Sequence, residues 1–249
     1  MSDSWRARYA RHMTLADWGE DRQRELADKT VLIVGLGGLG SPVATYLAAS
    51  GVGTLILNDF DRVDLSNLPR QPLHGTKDIN RLKTESAADS LKELNPDVTL
   101  ELVNERLDRK QLEQLLADCD CVVDCTDNFG TRFAINEAAV ATKTPLISAA
   151  AIRAEGQVAV FRNDLYSSPC YRCLYSEDDD ANADCQGQGV VSSLVGVIGS
   201  MAATATLNLL VFEMDNSGQL HYFDAKTLQW RHLKTSKNTA CPVCANSPS

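Results

Sequence analysis

A glycine-rich turn between a short apolar run and a helix of small residues limits the possible folds more than any other feature. The run VLIVG ends at Gly35, and Gly35, Gly37 and Gly40 satisfy the pattern G-x-G-x-x-G. The first glycine permits a tight turn, the second lets the backbone approach a phosphate, and the following helix presents its N-terminus to negative charge. Asp59 follows the next apolar run, roughly 20 residues after Gly40, where an acid can bond a ribose hydroxyl. The pattern predicts a nucleotide site without identifying the nucleotide.

Apolar runs of strand type alternate with helical segments over residues 29–150. The predicted strands are VLIVG, TLILND, VTLELV, CVVDCT and PLISAAA, and the predicted helices cover residues 39–50, 78–94, 108–117 and 128–142. This alternation predicts an α/β fold with a doubly wound, mostly parallel sheet, a Rossmann-like nucleotide-binding unit. Beyond Gly156, the runs QVAVF, QLHYFD and LQWRHL predict antiparallel strands that continue the sheet. Residues 4–28 predict a charged N-terminal helical segment.

Composition and charge narrow the class of protein. A chain of 249 residues with 44% hydrophobic content predicts a single domain, residues 1–249, with a sizeable core. The formal net charge of −9 argues against a nonspecific nucleic-acid or anionic-membrane surface, because such surfaces need a basic stripe. No apolar run of signal-peptide type lies within residues 1–30. The uncharged stretch 186–212 is rich in Gly, Ser and Thr, which favours a helix packed all round inside protein over a membrane span. We therefore expect a cytoplasmic protein with no nucleic-acid or membrane partner.

Polar residues after Asp59 favour a nucleoside triphosphate over a nicotinamide dinucleotide. A triphosphate carries several negative charges and its leaving pyrophosphate gains more, so its site needs cations that dihydronicotinamide does not need. Arginine offers a bidentate fork and lysine a point charge. The residues concerned are Asn67, Arg70, Gln71 and Lys83.

A second polar group follows the predicted strand CVVDCT. Asp124 and Asp127 are expected at the carboxyl edge of the sheet, where ligands bind in doubly wound folds. A carboxylate there can hold Mg²⁺ against a triphosphate. Asn128 either joins the nucleotide site or caps the following helix.

Two C-x-x-C pairs predict a structural zinc site. Cys170 and Cys173 form the first pair, and Cys241 and Cys244 form the second. Two such knuckles supply four thiolates for tetrahedral Zn²⁺, whereas redox pairs usually come singly in a thioredoxin-like context that is absent here. The metal would pin the C-terminal part of the chain onto its middle.

Together with the paired cysteines, the motifs GLGGLGSPVATYLAASGVG, DFDRVDLSNLPRQ and CTDNFGTRFAIN resemble the MoeB/ThiF family, the bacterial relatives of ubiquitin-activating enzymes. The resemblance extends from residue 8 to residue 244. It implies that the C-terminal glycine carboxylate of a small ubiquitin-like sulfur-carrier protein ending in Gly-Gly attacks the α-phosphate of ATP. Pyrophosphate then leaves, and the carrier becomes an acyl-adenylate.

The resemblance also implies partners and a domain organisation. It implies a homodimer and a sulfur-donor protein of the cysteine desulfurase or rhodanese type. It assigns residues 1–28 to an N-terminal arm, 29–150 to nucleotide binding, and 151–249 to carrier binding and the zinc site. The pathway stays open between thiamine and molybdopterin biosynthesis, although YFDAKTLQWRHL and CYRCLYSEDDD are more similar to the ThiF type.

Individual roles follow from the matched positions. Arg11, in the segment RYARH, matches the arginine that reaches the partner subunit's ATP. Cys185 matches the family's crossover-loop cysteine, which can bond to the carrier. The sequence departs from the family pattern at His12, Pro69, Thr206 and Asn208. The positions matched to nucleotide, phosphate or magnesium contacts are Gly38, Asp59, Asn67, Arg70, Lys83 and Asp127.

Alternative functions stay open at this point. Within the family, the substrate adenylated is either the sulfur carrier or another molecule, such as a different carrier, a peptide or a tRNA base. From the glycine motif alone, an NAD-dependent oxidoreductase is also consistent, and the cysteines allow a noncatalytic zinc-stapled scaffold.

Overall fold

One eight-stranded sheet organises residues 2–176 and 189–245, which are the residues that the computed structural model describes. Its strands are Thr30–Val34 (β1), Thr54–Asn58 (β2), Thr99–Val103 (β3), Cys121–Asp124 (β4), Leu146–Ile152 (β5), Glu155–Phe161 (β6), Gln219–Asp224 (β7) and Gln229–Lys234 (β8). They lie in the order β3-β2-β1-β4-β5-β6-β7-β8. The run from β3 to β5 is parallel, and β5 to β8 pair antiparallel. The predicted doubly wound sheet with an antiparallel continuation is confirmed.

Helices cover both faces of this sheet. They are Asp3–Met13 (α1), Gly19–Ala27 (α2), Gly40–Ser50 (α3), Lys83–Leu94 (α4), Arg109–Leu116 (α5), Phe129–Thr142 (α6), Tyr171–Leu174 (α7) and Ser192–Phe212 (α8). Side chains from α3, α4 and α8 build the core on one face of the sheet, and those from α5, α6 and α7 build it on the other. The parallel strands thus direct their carboxyl ends to one edge, where the loops that carry the predicted site meet.

Helix α4 begins five residues later than the predicted helix 78–94, at Lys83. The preceding residues form a short 3-10 helix, Thr76–Asp78, and a turn in which Asn80 has a φ of 71°. The cause is local: the Asp78 carboxylate accepts hydrogen bonds from Gly75 N at 2.9 Å and from Arg81 Nη1 at 2.7 Å. Side-chain acceptors of this kind compete with helix formation.

The predicted N-terminal helical segment consists of two helices. α1 ends at Met13, and α2 starts at Gly19, whose φ is 69°. Trp18 lies between them and is buried, with its indole N–H donating to Gln23 Oε1 at 2.9 Å. The break turns α2 onto α8.

Among the described helices, only α8 is long and apolar enough to cross a membrane. Half of its most apolar 18-residue segment is buried inside the protein. It packs on α3, β5 and β6. A Cβ on Gly156 of β6 would lie 2.3 Å from Ile198 Cγ1, so the contact with the sheet is close. The expectation of packing all round was wrong, because Val197 and Thr204 are exposed on the opposite side. α8 is a core helix with one open face.

Candidate functional site

The glycine loop between β1 and α3 closes tightly against the end of β4. Gly35 has a φ of 90°, and a Cβ there would lie 3.0 Å from Cys125 O. A Cβ on Gly40 would lie 1.9 Å from Gly35 O, so any side chain at this position would clash with the backbone. Gly37 and Gly38 are half-buried at the carboxyl ends of the parallel strands, next to the N-terminus of α3. The loop therefore exposes backbone, without side chains, at the positive end of a helix.

Asp59 links this loop to Lys83. Its Oδ2 accepts a hydrogen bond from Leu36 N at 2.8 Å, and its Oδ1 accepts one from Asp61 N at 2.9 Å. Lys83 Nζ lies 3.6 Å from Asp59 Oδ2 and 2.9 Å from Asp61 Oδ2. Asp59 is 8% exposed and Lys83 is 5% exposed. The two carboxylates compensate the buried ammonium and hold it beside the glycine loop.

The segment after β2 brings further predicted residues to the same edge. Asn67 ends a short 3-10 helix, and its carbonyl accepts from Arg70 N at 3.1 Å. Arg70 Nη1 donates to Ser66 O at 3.0 Å. Gln71 is 4% exposed, and a Cβ on Gly37 would lie 3.5 Å from its Nε2. Gln71 Oε1 has no hydrogen-bond partner among the described residues, so this site holds a buried acceptor next to the second glycine.

The two aspartates after β4 are not equivalent. Asp124 is fully buried, and its Oδ1 accepts from the N–H of Thr126 at 3.0 Å and from its hydroxyl at 2.7 Å. Burial raises the pKa of Asp124. Asp127 is exposed, and Asn128 is the N-cap of α6. Asp127 is thus the carboxylate available at the edge of the sheet, and its oxygens are of the type that Mg²⁺ prefers.

Arg11 lies away from the glycine loop of its own chain. It is on α1, which packs through Tyr9 against Gly51, the residue that caps the C-terminus of α3. The glycine loop is at the other end of that helix, about 16 Å away at 1.5 Å per residue. Arg11 is exposed and makes no ion pair among the described residues.

The four predicted metal ligands form one cluster. The Sγ atoms of Cys170, Cys173, Cys241 and Cys244 lie within 4.8 Å of one another, with a Cys170–Cys241 distance of 3.7 Å and a Cys173–Cys244 distance of 3.4 Å. Tetrahedral Zn²⁺ with Zn–S bonds of about 2.3 Å requires sulfur atoms about 3.8 Å apart. All four are free thiols, so no disulfide competes. Asn238 N donates to Cys173 Sγ at 3.4 Å, a contact of the kind that orients metal ligands. The donor set fits zinc.

Cys185 lies outside the described residues. Side chains that no sequence motif singled out also support the site directly. Two examples are Asp61 and Arg132. Asp61 pairs with Lys83, and Arg132 Nε donates to Thr126 O at 3.2 Å, next to Asp127 in the segment after β4. The second aspartate of DFD was a usable signal for Asp61. Arg132 lies within the motif CTDNFGTRFAIN, but nothing in that motif indicates its contact with Thr126. A third missed residue, His74, touches the glycine loop.

Comparison with known proteins identifies the family. The model of the ThiF family matches residues 9–243. The chain is similar to the sulfur carrier protein ThiS adenylyltransferase of Escherichia coli, with 44% identity over 99% of this chain and 98% of that protein. It is also similar to the E. coli molybdopterin-synthase adenylyltransferase, with 44% identity over 98% of each chain. Among solved structures, E. coli MccB with MccA-N7isoASN shares the fold, with a TM-score of 0.85 at 21% identity over 98% of this chain and 76% of that chain. The chain therefore belongs to the ThiF family.

Proposed function

We propose that this chain catalyses the ATP-dependent adenylation of the C-terminal glycine carboxylate of a small ubiquitin-like sulfur-carrier protein. The observation that carries the proposal is the glycine loop at the N-terminus of α3, tied through Asp59 to the buried ammonium of Lys83. Loop N–H groups, a helix dipole and a desolvated cation together suit a polyphosphate. The activities named for the two relatives at 44% identity support the same reaction.

The reaction needs charge neutralisation more than proton transfer. The attacking carboxylate is ionised at neutral pH, so no general base is required. Its attack on an anionic phosphate meets repulsion, which the positive charges of Lys83 and Arg70 would reduce. Mg²⁺, when bound, would neutralise the leaving pyrophosphate, and Asp127 would hold it. We assign the nucleotide site to Gly35, Gly37, Gly38, Gly40, Asp59, Asn67, Arg70, Gln71, Lys83, Asp127 and Asn128.

We propose a homodimer in which Arg11 acts on the partner's nucleotide. The support is the position of Arg11 at the far end of α3 from its own glycine loop, with no ion pair among the described residues. In this arrangement residues 1–28 form an arm, 29–150 the nucleotide-binding half and 151–249 the carrier-binding half of one adenylating domain. Zn²⁺ held by the four cysteines fastens the C-terminal segment to α7.

Thiocarboxylate formation would follow adenylation and use a separate sulfur-donor protein of the cysteine desulfurase or rhodanese type. Cys185 is our candidate for a covalent link to the activated carrier. Adenylation itself makes no demand on that thiol, because the carboxylate attacks ATP directly.

Mass spectrometry of the carrier tests the proposed reaction and its substrate. A thiamine-type and a molybdopterin-type carrier are each incubated with the enzyme, ATP and Mg²⁺, with a matched carrier that lacks its final glycine as control. We expect one intact carrier to gain an adenylyl group, the mass of AMP less one water, and the truncated carrier to gain none. Absence of the adduct on every intact carrier, with ATP binding demonstrated, would refute the proposed substrate class.

A further inference from the structure

His74 lies behind the glycine loop and contacts both the loop and α4. Its Nε2 is 3.1 Å from Leu36 O, and its Nδ1 is 2.9 Å from Ser86 Oγ. A carbonyl oxygen only accepts, so Nε2 carries the proton and donates to Leu36. In the neutral ring, Nδ1 then accepts from the Ser86 hydroxyl. His74 is 6% exposed and Ser86 is fully buried, so no bulk solvent can replace these hydrogen bonds.

The backbone of Leu36 is consequently held through both of its peptide groups. Its N–H donates to Asp59 Oδ2 at 2.8 Å, and its carbonyl accepts from His74. Asp59 lies 3.6 Å from Lys83, and Lys83 begins the helix that carries Ser86. These contacts form a closed ring. The glycine loop bonds to Asp59, and Asp59 lies near Lys83 at the start of α4. Ser86 of the same helix bonds to His74, which bonds back to the loop.

The charges around the ring favour this neutral form. Burial lowers the pKa of His74, and the nearby Lys83 ammonium acts in the same direction, against the hydrogen bond to Leu36 and the carboxylates of Asp59 and Asp78. Asp78 is itself paired with Arg81 at 2.7 Å. A second cation beside Lys83 would be unfavourable in this buried position.

We propose that His74 is a positioning residue for nucleotide binding, which holds the glycine-loop peptide in register with the Lys83 ammonium. The inference rests on the proposed function, since it assumes that the loop and Lys83 bind one polyphosphate. His74 acts through the Leu36 carbonyl: because the Leu36–Gly37 peptide is planar and trans, fixing that carbonyl also fixes the direction of the Gly37 N–H on the opposite side. Without it, the loop can rotate while Lys83 stays in place, and the two parts of the phosphate site no longer match.

Three variants separate this role from simple packing. His74→Phe keeps the ring and removes both hydrogen bonds. His74→Gln retains a donor at the Nε2 position. Ser86→Ala removes only the contact with α4. A fourth variant, His221→Phe on the β7–β8 hairpin, is the matched control, because it makes the same substitution away from the site.

The readout is the Kd for MgATP without carrier, measured by calorimetry, together with the KM values for ATP and for the carrier. We expect His74→Phe to raise the Kd and KM for ATP about tenfold, the factor that one lost hydrogen bond to a buried group represents. The KM for the carrier should not change. His74→Gln should restore ATP binding to within about threefold of wild type, and Ser86→Ala should weaken it by less than His74→Phe does. His221→Phe should bind ATP as the wild type does.

Two results would overturn the inference. One is a His74→Phe protein that binds ATP as tightly as wild type. The other is a loss of ATP affinity that His74→Gln does not reverse although the protein is folded by circular dichroism. If His74→Phe does not fold, a folded His74→Gln protein that binds ATP more than about threefold more weakly than wild type overturns the inference. Failure of the proposed function has a different signature, because a wild-type protein that binds MgATP but adenylates no carrier leaves the His74 comparison readable.

Discussion

Lys83 shows how burial strengthens the electrostatic effect of a single side chain. The ammonium is 5% exposed and lies 2.9 Å from Asp61 and 3.6 Å from Asp59. A cation in this position is weakly screened by solvent and salt, so its field acts strongly on a phosphate at the glycine loop. The cost of burying it is offset by two carboxylates, of which Asp59 also fixes the loop.

Replacement of Lys83 by methionine should therefore abolish most of the adenylation activity. We expect carrier-dependent pyrophosphate exchange to fall by about 100-fold or more, the effect typical of removing one preorganised electrostatic contact. Lys77→Met, which changes an exposed lysine in the same stretch, should retain full activity. Exchange rates and thermal unfolding are measured on both proteins. A Lys83→Met enzyme within about threefold of wild type would argue that the lysine does not act on the phosphates.

The neighbourhood of Lys83 also shows how far single positions were predictable. Motif spacing brought attention to Asp59 and Lys83, and the structure brings them together. His74 could not be predicted, because its contact with Leu36 joins residues that are 38 positions apart in the sequence. Asp124 and Asp127 looked alike in sequence, and only the inward direction of the last β4 residue distinguishes them.

Glycines in α3 and α8 differ in how much space the structure leaves for a side chain. A Cβ on Gly40 would meet Gly35 O at 1.9 Å, whereas one on Gly196 in α8 would meet nothing within 4 Å. Both glycines lie in helices, so the same substitution tests two opposite environments.

Gly40→Ala should destabilise the protein and weaken nucleotide binding, because the clash is with backbone and the loop must move. Gly196→Ala should instead stabilise it by about 0.5–1 kcal/mol, since alanine loses less backbone entropy in a helix than glycine does. Urea titration of both variants measures the free energy of unfolding. Equal stability of the two variants would contradict the close packing of the loop.

The cysteine cluster should behave as a structural metal site. We expect one zinc per chain, and Cys241→Ser should lower both the zinc content and the thermal midpoint, because metal binding is coupled to folding. Cys119→Ser is the control, since Cys119 lies outside the cluster and donates to Leu115 O, which a serine hydroxyl can also do. Elemental analysis and calorimetry give the two readouts. Zinc-free wild-type protein with the same midpoint as metal-loaded protein would exclude the site.

Elements were more predictable than single side chains. The strands VLIVG and CVVDCT appear as apolar runs because a parallel strand covered on both faces is buried along its length. The start of α4 was missed because the Asp78 side chain stabilises a turn that hydrophobic periodicity does not detect. α8 was expected to be covered all round because residues 186–212 carry no charge yet are too rich in Gly, Ser and Thr for a membrane span, but composition alone does not tell which face stays open.

In the whole molecule, Arg11 lies near the C-terminal end of α3, whereas the glycine loop of the same chain lies at the N-terminal end of that helix. If two copies share each site, an Arg11→Ala subunit and an Asp127→Ala subunit lack parts that come from opposite partners. Each homodimer should be inactive, and mixed subunits should recover up to about a quarter of the wild-type sites, the share expected for random pairing with one intact site per hybrid. Exchange assays on the mixture, with subunit exchange followed by mass spectrometry, test this. No recovery after demonstrated exchange would place Arg11 outside a shared site.

The most direct test of the central claim is exchange of labelled pyrophosphate into ATP, with and without a carrier that ends in Gly-Gly. Reversible formation of an acyl-adenylate requires the carrier's carboxylate and the metal, so exchange should appear only when carrier and Mg²⁺ are both present. It should disappear in Asp127→Ala, while Cys185→Ser should keep a near wild-type rate. Exchange that proceeds without any carrier, or full exchange by Asp127→Ala, would contradict the account.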